Sequence, residues 1–170
     1  MKTMIIYDSV FGNTEKVAKI MGEALGSPEE VKVLRVTDVK PEQLTGLNIL
    51  VVGSPTRGFK ATPAINSFLG KIPAGALNGV NVAAFDTRMS IKDVNSAILT
   101  FFVKIFGYAA EPIAAKLQKK QGNLSLPPEG FIVIGTEGPL KEGEIERATE
   151  WAEQIKKNDR KFNLNHIQTE

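Results

Sequence analysis

The stretch "YDSVFGNTEK" (7–16) decides how this chain is read. An apolar run, "TMIIYD" (3–8), ends at Asp8, a short loop of small and polar residues follows, and a helical pattern begins at once. Val17, Ile20, Met21, Ala24 and Leu25 recur at the spacing of one buried helix face. Strand, loop and helix in that order aim the unpaired N–H groups of the first helical turn, and the positive end of its dipole, into the loop. Ser9, Asn13 and Thr14 add side-chain donors, and Gly12 lets the backbone approach a ligand closely. With no lysine or arginine in it, the loop suits a dianionic monophosphate held by hydrogen bonds, since a helix end carries only about +0.5 charge. Taken alone, the same residues equally describe a plain strand-to-helix turn capped by Asn13 or Thr14.

Outward from this loop the alternation continues. Strand-like runs follow at "VKVLRV" (31–36), "NILVVG" (48–53), "VNVAAFD" (80–86) and "FIVIGT" (131–136). All but the first of these are nearly continuous apolar runs, as parallel strands covered on both faces require. The run at 31–36 alternates with lysine and arginine and reads as an edge strand. Ile65, Phe68 and Leu69 mark a helix after Pro63, Ala110, Ile113, Ala114 and Leu117 another, and Ile145, Ala148, Ala152 and Ile155 a last one with Trp151 packed beside its face. Five strands alternating with helices give a doubly wound α/β sheet with right-handed crossovers. From Lys156 the chain turns polar and is expected to fray.

Composition excludes several kinds of chemistry. The 170 residues are 42% hydrophobic and 24% charged, the balance of one globular domain. There is no cysteine, so disulfides, thiolate nucleophiles, iron–sulfur clusters and cysteine zinc sites are ruled out, and a reducing compartment is favoured. The one histidine, His166, lies in the polar tail, which leaves histidine catalysis and metal binding without support. A net charge of +2 does not point to nucleic acid. The chain enters a strand almost at once, with no room for a signal peptide. The most apolar segment, "VNSAILTFFVKIF" (94–106), is broken by Lys104 and is shorter than the ~18 residues of a membrane span. A cytoplasmic protein without a membrane span is expected.

Ligands of open α/β sheets bind beyond the carboxyl ends of the strands, where strand order reverses. The loops there read "SVFGNT" (9–14), "SPTRGFKATP" (54–63) and "DTRMS" (86–90), all rich in hydroxyls, glycine or arginine. No G-x-G-x-x-G follows the first strand. Gly53 and Gly58 have P-loop separation, but Phe59 stands at the lysine position and Lys60 comes one residue late, so that motif is rejected.

Together the three loops resemble the flavodoxin-like family, which holds flavin mononucleotide (FMN) with an S/T-x-T-G-x-T loop after strand one. "SVFGNTEKVAKIM" is similar to that loop with Phe11 in place of the middle hydroxyl. "GSPTRGF" resembles the G-[ST]-P-T-[RY] segment after strand three, most closely in the branch of tryptophan-repressor-binding-protein-like quinone reductases. "FDTRMS" falls at the second flavin-flanking loop, and "GTEGPLKEGEIERATEWA" resembles the ending of small single-domain members.

The resemblance implies a three-layer sandwich on a five-stranded parallel sheet of order 2-1-3-4-5, spanning 1–156, with a polar tail over 157–170. It implies FMN bound by Ser9, Val10, Phe11, Gly12, Asn13 and Thr14 at the phosphate. Around the ring it implies Pro55, Thr56, Arg57, Gly58, Phe59, Asp86, Thr87, Arg88 and Met89. Flavodoxins stack an aromatic ring from the loop after strand four on the flavin, and "DTRMS" has none, so Phe59 and Met89 are left as the covers. The apolar segment 94–106 is expected to pack on the sheet or on a neighbouring subunit in a homo-oligomer, or to form a lid that supplies the missing ring. Arg57 and Arg88 beside the ring would favour negative, reduced flavin by about 1–4 kcal/mol at 4 Å, which leans toward two-electron chemistry or a higher-potential carrier. Gly58 stands where the family's peptide beside flavin N5 flips on reduction, and it equally relieves a tight turn. Asp86 would accept from a flavin N–H or cap the following turn, and Glu137 reads as a solvated loop acid. No carboxylates form an acid–base pair, so no catalytic residue is expected.

The functional expectation is an FMN-binding redox protein: an electron carrier with a partner protein, or an NAD(P)H-dependent quinone reductase. The alternative is a binding or regulatory module of the same fold that has lost flavin. A receiver-type signalling domain is set aside, because Gly53 stands at its acceptor aspartate and Thr136 at its lysine.

Overall fold

The computed structural model describes residues 1–90 and 107–167. Strands β1 (Thr3–Tyr7), β2 (Val31–Arg35), β3 (Ile49–Pro55) and β4 (Asn81–Met89) lie parallel, and β5 (Asn123–Leu124) and β6 (Glu129–Val133) both pair with β4. The last two are halves of one fifth strand. Asn123 and Leu124 pair with Asn81 and Val82, while residues 129–133 pair with Phe85 to Met89. The intervening Pro127 and Pro128 cannot donate to the ladder, which accounts for the break. Counting the halves as one, the order is the expected 2-1-3-4-5, with β2 at the edge.

Helices α1 (Asn13–Leu25) and α4 (Glu144–Ile167) cover one face of the sheet, and α2 (Pro63–Lys71) and α3 (Ala110–Lys119) the other. The odd-numbered side chains of β1 and β4 point to the first face and the even-numbered to the second. Ile5, Ala83 and Phe85 therefore pack with Val17, Met21 and Ala152, and Met4, Val82 and Ala84 pack with Ile65, Ile113 and Leu117. Trp151 lies in the first core as expected, edge-on to Phe85 and Phe131 at 6.5 and 6.2 Å between ring centroids. The connection from β2 to β3 is made of two short 3-10 turns. No helix among the described residues is long and apolar enough to cross a membrane.

Three local expectations change. The stretch Thr87–Met89, read as loop, continues β4, because it keeps partners on both sides: Pro55 of β3 opposite Thr87, and Phe131 to Val133 of β6. The second half of the fifth strand, β6, starts at Glu129, two residues earlier than its apolar run, and ends at Val133, so Ile134 is exposed. The chain does not fray at Lys156. Helix α4 runs on to Ile167 and is held near its middle by buried Asp159, which accepts from the Asn81 amide at 2.6 Å. The expectations for 94–106 concern residues outside those described.

Candidate functional site

The carboxyl ends of β1, β3, β4 and β6 open onto a cleft of about 380 Å³, within the range of small-molecule sites. It gathers thirteen of the fifteen residues expected at the cofactor: Ser9, Val10, Phe11, Asn13 and Thr14 from the first loop, Pro55 to Phe59 from the second, and Thr87, Arg88 and Met89 from the end of β4. Gly12 and Asp86 do not line it. Tyr108, Val133 and Thr136 do, without having been foreseen.

The first loop closes on itself. Ser9 Oγ is buried and accepts from the Gly12 N–H at 3.1 Å. Gly12 has φ +86°, a left-handed conformation that glycine adopts without a Cβ penalty, and α1 starts at the next residue with no side-chain cap. The side chains expected to bind phosphate are engaged elsewhere. Asn13 Nδ2 donates to the Glu137 carbonyl at 2.8 Å, and the buried hydroxyls of Thr14 and Thr87 meet at 2.7 Å. What the loop offers an anion is chiefly the backbone N–H groups of an uncapped first turn. A cation also stands behind it. Arg35, which ends β2 opposite Tyr7, donates to the Ser9 carbonyl and lies 3.4 Å from Asp8 Oδ1. The loop sequence carries no arginine, but parallel pairing puts the end of the edge strand beside it.

The second loop is a tight hairpin. Arg57 and Lys60 exchange backbone hydrogen bonds of 2.9 and 3.1 Å around Gly58 and Phe59, whose φ values are +52° and +66°. Two positive φ values in a two-residue loop are the pattern of a type I′ turn. For phenylalanine that conformation costs about 1–2 kcal/mol. Its half-buried side chain forms one part of the cleft wall.

Under the opposite wall lies an ion pair. Asp86 is fully buried, and its Oδ1 and Oδ2 accept from Arg88 Nε and Nη2 at 2.5 and 2.7 Å. Oδ2 also accepts from the Ala110 N–H at the start of α3, at 2.8 Å, and the nearby Thr56 hydroxyl favours the ionised carboxylate. Burial pushes the Asp86 carboxyl above its ordinary range, and the guanidinium and these donors pull it back. Fully buried beneath Arg88, Asp86 does not itself reach the cleft surface. The Arg88 guanidinium lies over the Tyr108 ring, 3.7 Å from its centroid. Tyr108 thus supplies an aromatic wall that the end of β4 lacks. Its signal in sequence was weak: one ring directly before the Ala110 helix, far along the chain from Met89.

A family model described as "Flavodoxin domain" matches residues 4–135. The chain belongs to the flavodoxin family. Oxidised flavodoxin 1 from Bacillus cereus is similar over 92% of this chain and 98% of its own, at 19% identity and a TM-score of 0.72. A flavodoxin from the domain Archaea is similar over 94% and 99%, at 22% identity and a TM-score of 0.69. Rubredoxin oxygen:oxidoreductase from Desulfovibrio gigas matches 94% of this chain with 36% of its own, at 18% identity and a TM-score of 0.71. At such identities these likenesses are of fold. No curated protein matches by sequence. FMN is the cofactor of the flavodoxin family, and the donor set fits it. The first turn of α1 has no side-chain cap among the described residues, which leaves its N–H groups for a phosphate, and the same cleft carries three aromatic side chains, Phe11, Phe59 and Tyr108. No group of three or more potential metal ligands occurs among the described residues.

Proposed function

We propose that the cleft binds FMN and that the protein is a flavin-dependent electron carrier serving a redox partner protein in the cytoplasm. The observation that carries this reading is the coincidence, in one cleft, of an uncapped helix N-terminus with aromatic walls from Phe59 and Tyr108. The first turn of α1 and the Ser9–Thr14 loop would hold the phosphate, with Arg35 adding positive charge from behind. Phe59, Met89 and Tyr108 would hold the ring. Bound FMN supplies one- and two-electron redox chemistry, and the protein sets its position and surroundings.

The Gly58–Phe59 hairpin is suited to a two-state role. Turning over the peptide between them converts a type I′ turn to type II′, which needs positive φ only at the first central residue. Gly58 then stays where it is and Phe59 returns to negative φ. The turn with positive φ at Phe59 is therefore the strained member of the pair, and turning that peptide over would relieve it.

Quinone reduction at the expense of NAD(P)H is a second reading, favoured by the apolar mouth formed by Val10, Phe11 and Met89, all exposed. Titrating the purified protein with FMN, then adding NADH or NADPH without oxygen, separates these readings. A carrier binds one FMN per chain and keeps the oxidised-flavin absorbance until a reductase is added. A quinone reductase bleaches unaided and is reoxidised by quinone. A protein that ignores FMN overturns both and leaves a flavin-free binding module.

A further inference from the structure

Of the contacts that shape the cleft, the Asp86–Arg88 pair is the one that the binding of FMN does not by itself require. Both residues leave the same face of β4, and a bidentate fork fixes the plane of the guanidinium as well as its place. Three further features bear on it. Gly130 of β6 lies opposite Asp86, and a Cβ there would stand 2.2 Å from Arg88 Nε and 2.3 Å from Cζ, so the arginine crosses the sheet only because this residue is glycine. The guanidinium face then covers Tyr108. Residues Ala109 and Ala110, which follow Tyr108 directly, donate to Thr56 Oγ1 at 3.0 Å and to Asp86. The tyrosine is thus tied through its ring and through its backbone to one carboxylate.

We propose that Asp86 and Arg88 are a positioning pair that holds the Tyr108 ring as a fixed wall for a flat aromatic ligand, while Asp86 cancels the charge that Arg88 would otherwise present to it. The proposal rests on the FMN reading above in its choice of ligand. Arg88 is 13% exposed and lines the cleft, so its charge, if uncompensated, acts on whatever binds there. Glu111, 3.9 Å from Nη2, is exposed and offers only screened compensation. Burial pushes the Tyr108 hydroxyl above its ordinary range and Arg88 pulls it back, in keeping with ring and guanidinium acting as one unit.

The test compares FMN affinity and midpoint potential in the wild type, Arg88→Lys, Asp86→Asn and the neutral double variant Asp86→Asn/Arg88→Gln. Arg88→Lys keeps the charge and loses the planar stack, so FMN binding weakens at least tenfold while the potential stays. Asp86→Asn leaves the guanidinium uncompensated. The reduced form then gains at least tenfold over the oxidised form in affinity, a rise of about 30 mV for a two-electron couple. The double variant returns to the wild-type potential with binding still weakened. Wild-type affinity in Arg88→Lys, or wild-type potential in Asp86→Asn, overturns the proposal. Should Asp86→Asn fail to fold, the double variant decides through its affinity, and wild-type binding there is the overturning result. A wild type that binds no FMN refutes the FMN reading instead. The pair is then judged by NMR of ¹³C-tyrosine protein: a Tyr108 ring held in the wild type and mobile in Arg88→Lys supports positioning, and equal mobility overturns it.

Discussion

Replacing Gly130 by alanine tests how firmly Arg88 is held. The added Cβ would lie 2.2, 2.3 and 2.6 Å from Arg88 Nε, Cζ and Nη2. These atoms end a flexible side chain, and an ordinary surface arginine would swing away at no cost. Here swinging away breaks both bonds to a fully buried carboxylate and the stack on Tyr108. Depriving a buried ion of its partner costs about 3–5 kcal/mol. Asp86 keeps the Ala110 N–H, so the lower end, about 3 kcal/mol, is expected. In a domain of this size that is a fall in Tm of about 6–12 °C.

The sign of the effect must reverse when the arginine is absent. Gly130 does not have a positive φ, so alanine meets no backbone strain there. In an Asp86→Asn/Arg88→Ala background the clash is gone, and Gly130→Ala should stabilise by about 0.4–1 kcal/mol through the unfolded chain. Thermal and urea unfolding of the four proteins close a double-mutant cycle. A Tm within 2 °C of wild type for Gly130→Ala alone, or the same loss in both backgrounds, refutes the claim that Arg88 is locked.

Three other perturbations follow from the same geometry. Gly53→Ala places a Cβ 2.1 Å from the ring of Phe85, which is fully buried against Phe131 and Trp151, so overpacking should cost at least ~1–3 kcal/mol in urea unfolding. Thr14→Val leaves the buried Thr87 hydroxyl without its partner, and a loss of about 1–3 kcal/mol largely restored in Thr14→Ser is expected. Asn81→Ala removes a bond to buried Asp159 and should cost about 1.5–3 kcal/mol, with faster limited proteolysis of the second half of α4; unchanged cleavage would show that this bond does not dock the helix.

The framework was legible because burial on both faces writes a strand as an unbroken apolar run, and β1, β3 and most of β4 satisfy that rule. The rule fails where a strand end carries the site. Thr87 and Arg88 read as loop because they are polar, yet their polarity is met inside the sheet, by Thr14 on one face and Asp86 on the other. Glu129 and Gly130 lie outside the apolar run at 131–136, yet they begin β6: glycine makes room for Arg88, and Glu129 lies 3.2 Å from Arg147. The loops that meet at the cleft were legible from residue type and place. Their hydrogen-bond partners were not, since nothing local says that Asn13 will be taken by Glu137 or that Tyr108 will return to the end of β4.

Charge shows the same gap with a larger consequence. Along the chain, Arg57 and Arg88 put positive charge beside the ring and imply a raised potential, and the fold brings Arg35 and Lys60 to the same end of the sheet. In the fold, the deepest of the four is neutralised by Asp86, and Arg35 faces Asp8 and a carbonyl. Arg57 and Lys60 remain exposed on the hairpin, where salt screens them over about 8–10 Å. Any cationic bias on a bound flavin then comes mainly from the rim and must weaken as ionic strength rises. A bias that resisted salt would require a buried, uncompensated cation. The Asp86–Arg88 pair removes the best candidate for one among the described residues, so the strength of the field at this cleft depends on a buried carboxylate as well as on the count of arginines.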